Sequence, residues 1–250
     1  MVHGDNQQET ENALSLDIAY LLGVYMSDGH CRQGKSGAYV YTQRSIDRNF
    51  LEYVQDCFGR EYGKRGKIYL HENGGFSLKK GNRKTIFKLE ISSKEHFNRM
   101  IGWTNKKEIV PESVRHGKRS VKENFLAGLM DGDGWISLGL ARNGNNIYFQ
   151  VGLASISPWI DDVARLFHSI DIRTTTIKKM SGKENRRFFV NVVDFIRSGI
   201  RFRIGRKQNR LELIARLLRD FYLGYKPTSE RNGETRRLVG EWLDDKVQPM

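Results

Sequence analysis

The sequence predicts an α+β fold made of two pseudo-symmetric halves, each opened by an apolar helix that runs into Asp-Gly. Two observations carry this expectation. Residues 126–134 read LAGLMDGDG, and residues 21–29 read LLGVYMSDG, a degenerate copy with the same ending. After each copy a similar order of helix and strand patterns returns, which is the signature of internal duplication. A third observation concerns the partner. The formal net charge of +13, from 42 Lys and Arg against 29 Asp and Glu, suits a polyanion, because basic side chains set on phosphates release condensed counterions.

The elements follow in order. After a polar tail (1–13), Ser15 is placed to cap a helix to about Met26, with Leu16, Ala19, Tyr20, Gly23 and Ser27 spaced at three and four. Residues 38–43 alternate as a strand with one exposed face, and 47–58 read as a helix. Strands are expected at 67–70 and 76–78 around an Asn73-Gly74-Gly75 turn, then at 85–91, with a short helix at 94–101. The first half thus occupies 14–110, and a basic linker, 111–119, leads to the second half at 120–223. There the pattern gives a helix at 121–130, a strand at 147–153, a helix at 158–170, strands at 174–179 and 187–193, and a helix at 207–222. An extension, 224–250, has no counterpart in the first half. Within it 234–243 has the pattern of a short amphipathic helix carrying Leu238, Trp242 and Leu243.

Composition narrows the function classes. At 250 residues the chain supports two halves of roughly 110 residues with a proper core. Cys31 and Cys57 are the only cysteines, too few for a disulfide framework or a Cys-rich zinc site, and imply a reducing, intracellular setting. No apolar run approaches the roughly 20 residues that span a bilayer, so no membrane association is expected.

The motif itself has a physical reading. Gly23 with Ser27, and Gly128 with Gly132, lie four apart and share a helix face, letting two helices approach backbone to backbone. Such packing sets Asp28 and Asp133 side by side at the negative ends of both helices. Two carboxylates so placed repel unless cations sit between them, and an oxygen-only site suits a hard ion such as magnesium. A calcium loop starting at Asp131 fails, because Trp135 stands where its fifth position needs an oxygen ligand. Asp131 is matched by Met26 in the first copy and receives no shared role. His30 and Cys31, with no clustered partners, read as loop residues.

At these residues the chain resembles the LAGLIDADG homing endonucleases in their single-chain, two-motif form. The second copy departs from the family name only at Met130 and Gly132, and the similarity extends from about Leu14 to Tyr222. The resemblance implies α-β-β-α-β-β-α halves with the motif helices paired at the centre and saddle-shaped antiparallel sheets. It implies a monomer with pseudo-twofold symmetry that hydrolyses both strands of a long, asymmetric double-stranded DNA target across the minor groove, leaving short 3′ overhangs. Asp28 and Asp133 would hold two or three Mg2+ ions, with Mn2+ able to substitute, helped by the carbonyls of Ser27 and Gly132. Around them the family places a polar residue at the end of the first strand, here Gln43 with Arg44 beside it, and a basic residue ahead of the last helix. For the basic residue Lys107 or Lys106 fits the first half and Lys207 or Arg206 the second. Ala154 and Ser155 both align as the second partner of Gln43.

The exposed strand faces and turns are then the expected DNA contacts: Arg32, Gln33, Lys35, Tyr39, Tyr41 and Arg44 in the first half, and Arg142, Asn143, Asn145, Tyr148, Gln150, Arg173, Thr175 and Lys179 in the second. Two other functions fit the resemblance, an RNA maturase acting on intron RNA and a catalytically silent DNA-binding regulator. Retention of both motif acids speaks against the regulator, whereas a basic sheet serves RNA as well as DNA.

Overall fold

A computed structural model describes residues 14–34, 37–71, 85–140, 147–180 and 184–222. Ser15 starts the first helix, α1 (Leu16–Met26), its hydroxyl accepting Ile18 N–H at 3.1 Å. Every residue from Ile18 to Met26 is buried, so α1 has no solvent stripe and belongs to the centre of the molecule. It is followed by β1 (His30–Gln33), β2 (Tyr39–Ser45), α2 (Arg48–Tyr62), β3 (Lys67–Leu70), β4 (Phe87–Ser92) and α3 (Lys94–Thr104). Gly63 ends α2 with a left-handed φ of 59°, and Ser93 caps α3 through His96 N–H.

A single turn, α4 (Glu112–Arg115), interrupts the linker and buries Val114. The second half runs α5 (Arg119–Gly132), β5 (Gly134–Leu140), β6 (Ile147–Ser155), α6 (Ile160–His168), β7 (Lys178–Lys179), β8 (Arg186–Val190) and α7 (Val192–Ser198), and α8 (Gly205–Tyr222) follows. The order α-β-β-α-β-β-α therefore occurs twice. Each half forms a four-stranded antiparallel sheet of the same topology, β1-β2-β4-β3 and β5-β6-β8-β7.

The sequence reading missed β1 and β5 and misjudged 187–193. The last three of those residues leave the sheet because Asn191 accepts Asp194 N–H at 3.1 Å and starts α7, a local cap outcompeting strand propensity. In 174–179 pairing is limited to a Thr174–Val190 bridge and the two residues of β7. The expected strand at 76–78, its turn and the 224–250 extension lie outside the described residues.

At the centre, α1 crosses α5 with almost no space between backbones. A methyl group on Gly23 would stand 2.0 Å from Phe125 O, and one on Gly128 would stand 2.2 Å from Tyr20 O. One on Gly132 would meet Ser27 Oγ at 2.0 Å. Each sheet turns one face to its helices, with Tyr41, Leu89 and Ile91 buried in the first half and Ile136, Val151, Leu153 and Phe188 in the second. Among the described residues the opposite face carries no helix.

Candidate active site

The crossing of α1 and α5 delivers the two motif acids to one end of the pair. Asp28 follows Ser27, the C-cap of α1, and Asp133 is itself the C-cap of α5. Burial pushes the Asp133 carboxyl up to about 7, with the nearby Asp28 charge adding to the rise and Lys107 and Lys207 opposing it.

Each acid has a lysine behind it. Lys107 follows a left-handed run, with φ of 43°, 55° and 74° at Asn105, Lys106 and Lys107, costing roughly 1–2 kcal/mol per residue. Thr104 Oγ1 accepts Lys107 N–H at 3.1 Å and steadies the turn. The run carries Lys107 Nζ to Ser27 O at 3.1 Å, over the Tyr25 ring. Lys207, in the first turn of α8, is buried and reaches four carbonyls at the end of α5: Met130 O (2.8 Å), Asp131 O (2.6 Å), Gly132 O (3.3 Å) and Gly134 O (2.6 Å). Burial lowers Lys207 to about 8 and also lowers Lys107, while the carboxylates oppose both shifts. Lys106 is exposed, and Arg206 is paired with Asp47 at 3.0 Å.

Gln43 is buried. Its Oε1 accepts the Tyr41 hydroxyl at 3.0 Å, and its Nε2 has no partner among the described residues. The register identifies its counterpart. Counting strand pairs from the motif glycines, the position across from Gly29 is 43 and the partner of Gly134 is Leu153. The second half therefore has an apolar side chain where the first has an amide, and neither Ala154 nor Ser155 holds that position.

Asp131 has a role of its own. Its carboxylate is buried, accepts the Tyr20 hydroxyl at 2.8 Å from α1, and accepts the backbone N–H groups of Arg203 and Ile204 at 3.0 and 3.1 Å, just ahead of α8. It ties both motif helices to the segment that presents Lys207. Sequence reasoning passed over it because Met26 fills the matching position of the first copy.

Among the described residues no cluster of three or more His, Cys, Asp and Glu is assembled. Asp28 and Asp133 with the helix-end carbonyls form an oxygen-only donor set, and burial first, then the Asp28 charge, disfavours the ionised Asp133 that a cation would stabilise. The two carboxylates fit a hard divalent ion with remaining positions left for water and phosphate oxygens, while Ser27 O and Gly132 O each also accept from a lysine.

No family model matches the sequence, and no curated protein matches it. Solved structures do. A lysine-to-alanine mutant of I-SmaMI matches with a TM-score of 0.57 at 15% identity, over 91% of this chain and 99% of that one. A second I-SmaMI mutant gives 0.54 at 15% identity, over 91% and 97%. A glycine-to-serine mutant of I-DmoI, in complex with its target DNA in the presence of magnesium, gives 0.50 at 16% identity, over 73% and 94%. The chain has the LAGLIDADG homing endonuclease fold.

Each sheet has one face that carries no helix among the described residues, and the register assigns residues to these open faces. His30, Arg32, Thr42, Arg44, Lys67, Tyr69, Lys88 and Glu90 share the open face of the first sheet. In the second, Trp135, Ser137, Tyr148, Gln150, Lys178, Arg187 and Phe189 do so. Register, burial and contacts place several of the sequence-based candidates away from the open faces or in other contacts. Tyr41 is 1% exposed, packed on Phe58 and His96, and Tyr39 stacks on Phe97 of α3. Gln33 is in register with Tyr39 and shares its side of the sheet. Lys179 pairs with Arg186, which bonds Asp161 of α6, so Lys178 and not Lys179 lies on the open face. Arg173 forms a two-bond ion pair with Asp194, and Thr175 Oγ1 accepts Phe189 N–H at the sheet edge. Lys35, Arg142, Asn143 and Asn145 lie outside the described residues. The missed strand β5 was legible as alternation: Ile136 and Leu138 point inward while Trp135 and Ser137 point out.

Proposed function

We propose that the chain is a metal-dependent, site-specific endodeoxyribonuclease that cuts both strands of a long, asymmetric duplex across its minor groove and leaves short 3′ overhangs. The observation that carries this reading is the pairing of Asp28 and Asp133, one from each half, at the common end of two crossing helices. The fold supports it, since the I-DmoI neighbour is a complex with target DNA in the presence of magnesium.

Asp28 and Asp133 would hold the cations, with the helix-end carbonyls of Ser27 and Gly132 as further oxygen donors. A divalent ion held there supplies Lewis acidity toward the scissile phosphate and makes a bound water more acidic. Lys107 and Lys207 keep positive charge beside the carboxylates, offsetting anionic charge that grows on the phosphate. The unpartnered Gln43 Nε2 offers a donor for a water or phosphate oxygen on the first-half side.

The test uses a duplex target recovered by binding selection from a random-sequence library. Asp28→Asn and Asp133→Asn are expected to retain binding to it while losing double-strand cleavage in Mg2+. Efficient cutting by either variant overturns the assignment, and binding of the intron RNA in preference to the duplex would favour a maturase.

A further inference from the structure

The two open faces have the same architecture and different chemistry, and the difference is concentrated in one row. Equivalent strand pairs place His30–Thr42–Glu90 in the first sheet opposite to Trp135–Gly152–Phe189 in the second, each row beginning with the residue directly after the motif glycine. In the first half Glu90 accepts from Lys88 and lies 3.9 Å from Arg32, one in each flanking row, so this row is the centre of a charged cluster containing both donors and acceptors. In the second half the Trp135 indole lies over Gly152, where an added methyl group would meet its ring at 2.5 Å. Phe189 meets Trp135 edge to face at 5.8 Å, and Arg187 covers Phe189 at 5.5 Å. Gly152 is what lets the indole lie flat, and the outcome is an apolar platform rimmed by cations.

These rows discriminate bases in opposite ways. In the major groove a carboxylate accepts from the cytosine amino group, and a guanidinium donates to guanine N7 and O6. An apolar surface instead favours the thymine C5 methyl. A ring platform has no acceptor for the cytosine amino group, so setting it against a G·C pair leaves buried polar groups unmatched. The next row outward in the second half is Ser137–Gln150, and a glutamine amide pairs with adenine N6 and N7. Rows on one face are two residues apart, about 6.6 Å, or roughly two base pairs of B-form DNA.

We propose that the two half-sites of the target differ in base class at equivalent positions. The half under the second sheet carries an A·T step whose thymine methyl rests on Trp135 and Phe189. The half under the first sheet carries a G·C pair read by Glu90 and Arg32. Trp135, Phe189, Glu90 and Arg32 are thus the residues that break the pseudo-twofold symmetry of recognition. The inference rests on the duplex-DNA reading above and goes beyond it by stating which bases each half requires.

The experiment is a binding selection with the full chain, in chelator, from a library of random-sequence duplexes. Enrichment of a long asymmetric site, A·T at the second-half position and G·C at its first-half equivalent, is the expected result. Trp135→Ala or Phe189→Ala should reduce the thymine preference about tenfold at that position alone. Glu90→Gln should relax only the G·C position. The triple substitution Trp135→His, Ser137→Arg and Phe189→Glu, which installs the counterparts of His30, Arg32 and Glu90, should shift the second-half position toward G·C, a gain that misfolding does not produce. A symmetric consensus, the reverse assignment of A·T and G·C, or variants that weaken all sequences equally would overturn the proposal while leaving DNA cleavage standing. If no duplex is enriched at all, the DNA-nuclease reading fails with it.

Discussion

His96 lies in a box of rings, 4.2 Å from Phe58, 5.2 Å from Tyr41 and 5.3 Å from Tyr62 between centroids, and neither ring nitrogen has a partner among the described residues. Burial, with Arg99 nearby, lowers it to about 3. The unfolded chain holds a histidine proton up to about pH 6.5, so the unfolded state binds more protons between those limits. Stability from this site is therefore complete above about pH 6.5 and falls by up to about 1.4 kcal/mol per pH unit as the pH drops toward 3. Urea titrations across that range should show the decline, and His96→Phe should flatten it; an unchanged slope would remove His96 as its cause. Asp133 offers a second test at this scale. Because Asp28 contributes to its raised value, Asp28→Asn should move the Asp133 carboxyl downward in a carbon-13 titration. The acids were legible in the sequence, since each ends a repeated motif. The partners of Asp131 were not, because Tyr20 and Ile204 lie 111 and 73 positions away and meet it only in the fold.

At the scale of elements, the α1–α5 crossing turns on hydrogen-sized side chains. A methyl group on Gly128 would meet Tyr20 O and Val24 N, both backbone, which no side-chain rotation relieves. Gly128→Ala should cost about 3 kcal/mol or more, at the upper end of overpacking penalties. Gly102 in α3 has nothing within 4 Å of an added methyl group, and Gly102→Ala should instead stabilise by up to about 1 kcal/mol through helix propensity. Paired thermal melts check both, and equal effects at the two positions would deny the crossing its special closeness. The four-residue spacing of Gly23 with Ser27 and of Gly128 with Gly132 was readable in advance. The faces of β2 were not. Tyr39, Tyr41 and Gln43 alternate with Val40, Thr42 and Arg44, and periodicity fixes two faces without saying which one the helices cover.

Across the whole molecule the duplication is close in topology and unequal in chemistry. The segment around α8 couples the halves: Arg206 pairs with Asp47, Arg203 covers the Tyr53 ring at 4.5 Å, and Asp131 holds Tyr20. Around the acids the halves diverge, with buried Gln43 against Leu153, and Lys107 on one carbonyl against Lys207 on four. Gln43 belongs to the first acid, because the Tyr41 hydroxyl that it binds lies where a methyl group on Gly29 would meet it at 3.0 Å. Two sites with such different polar surroundings should stabilise their transition states unequally, so the two strands should be cut at different rates. On a supercoiled plasmid carrying the target, nicked circles should accumulate before linear product. Gln43→Leu, which makes the first half resemble the second, should slow one strand by about tenfold or more while sparing the other. Strand-labelled single-turnover kinetics separate the two rates. Equal slowing of both strands would mean that Gln43 supports the shared core of the site and does not serve one acid.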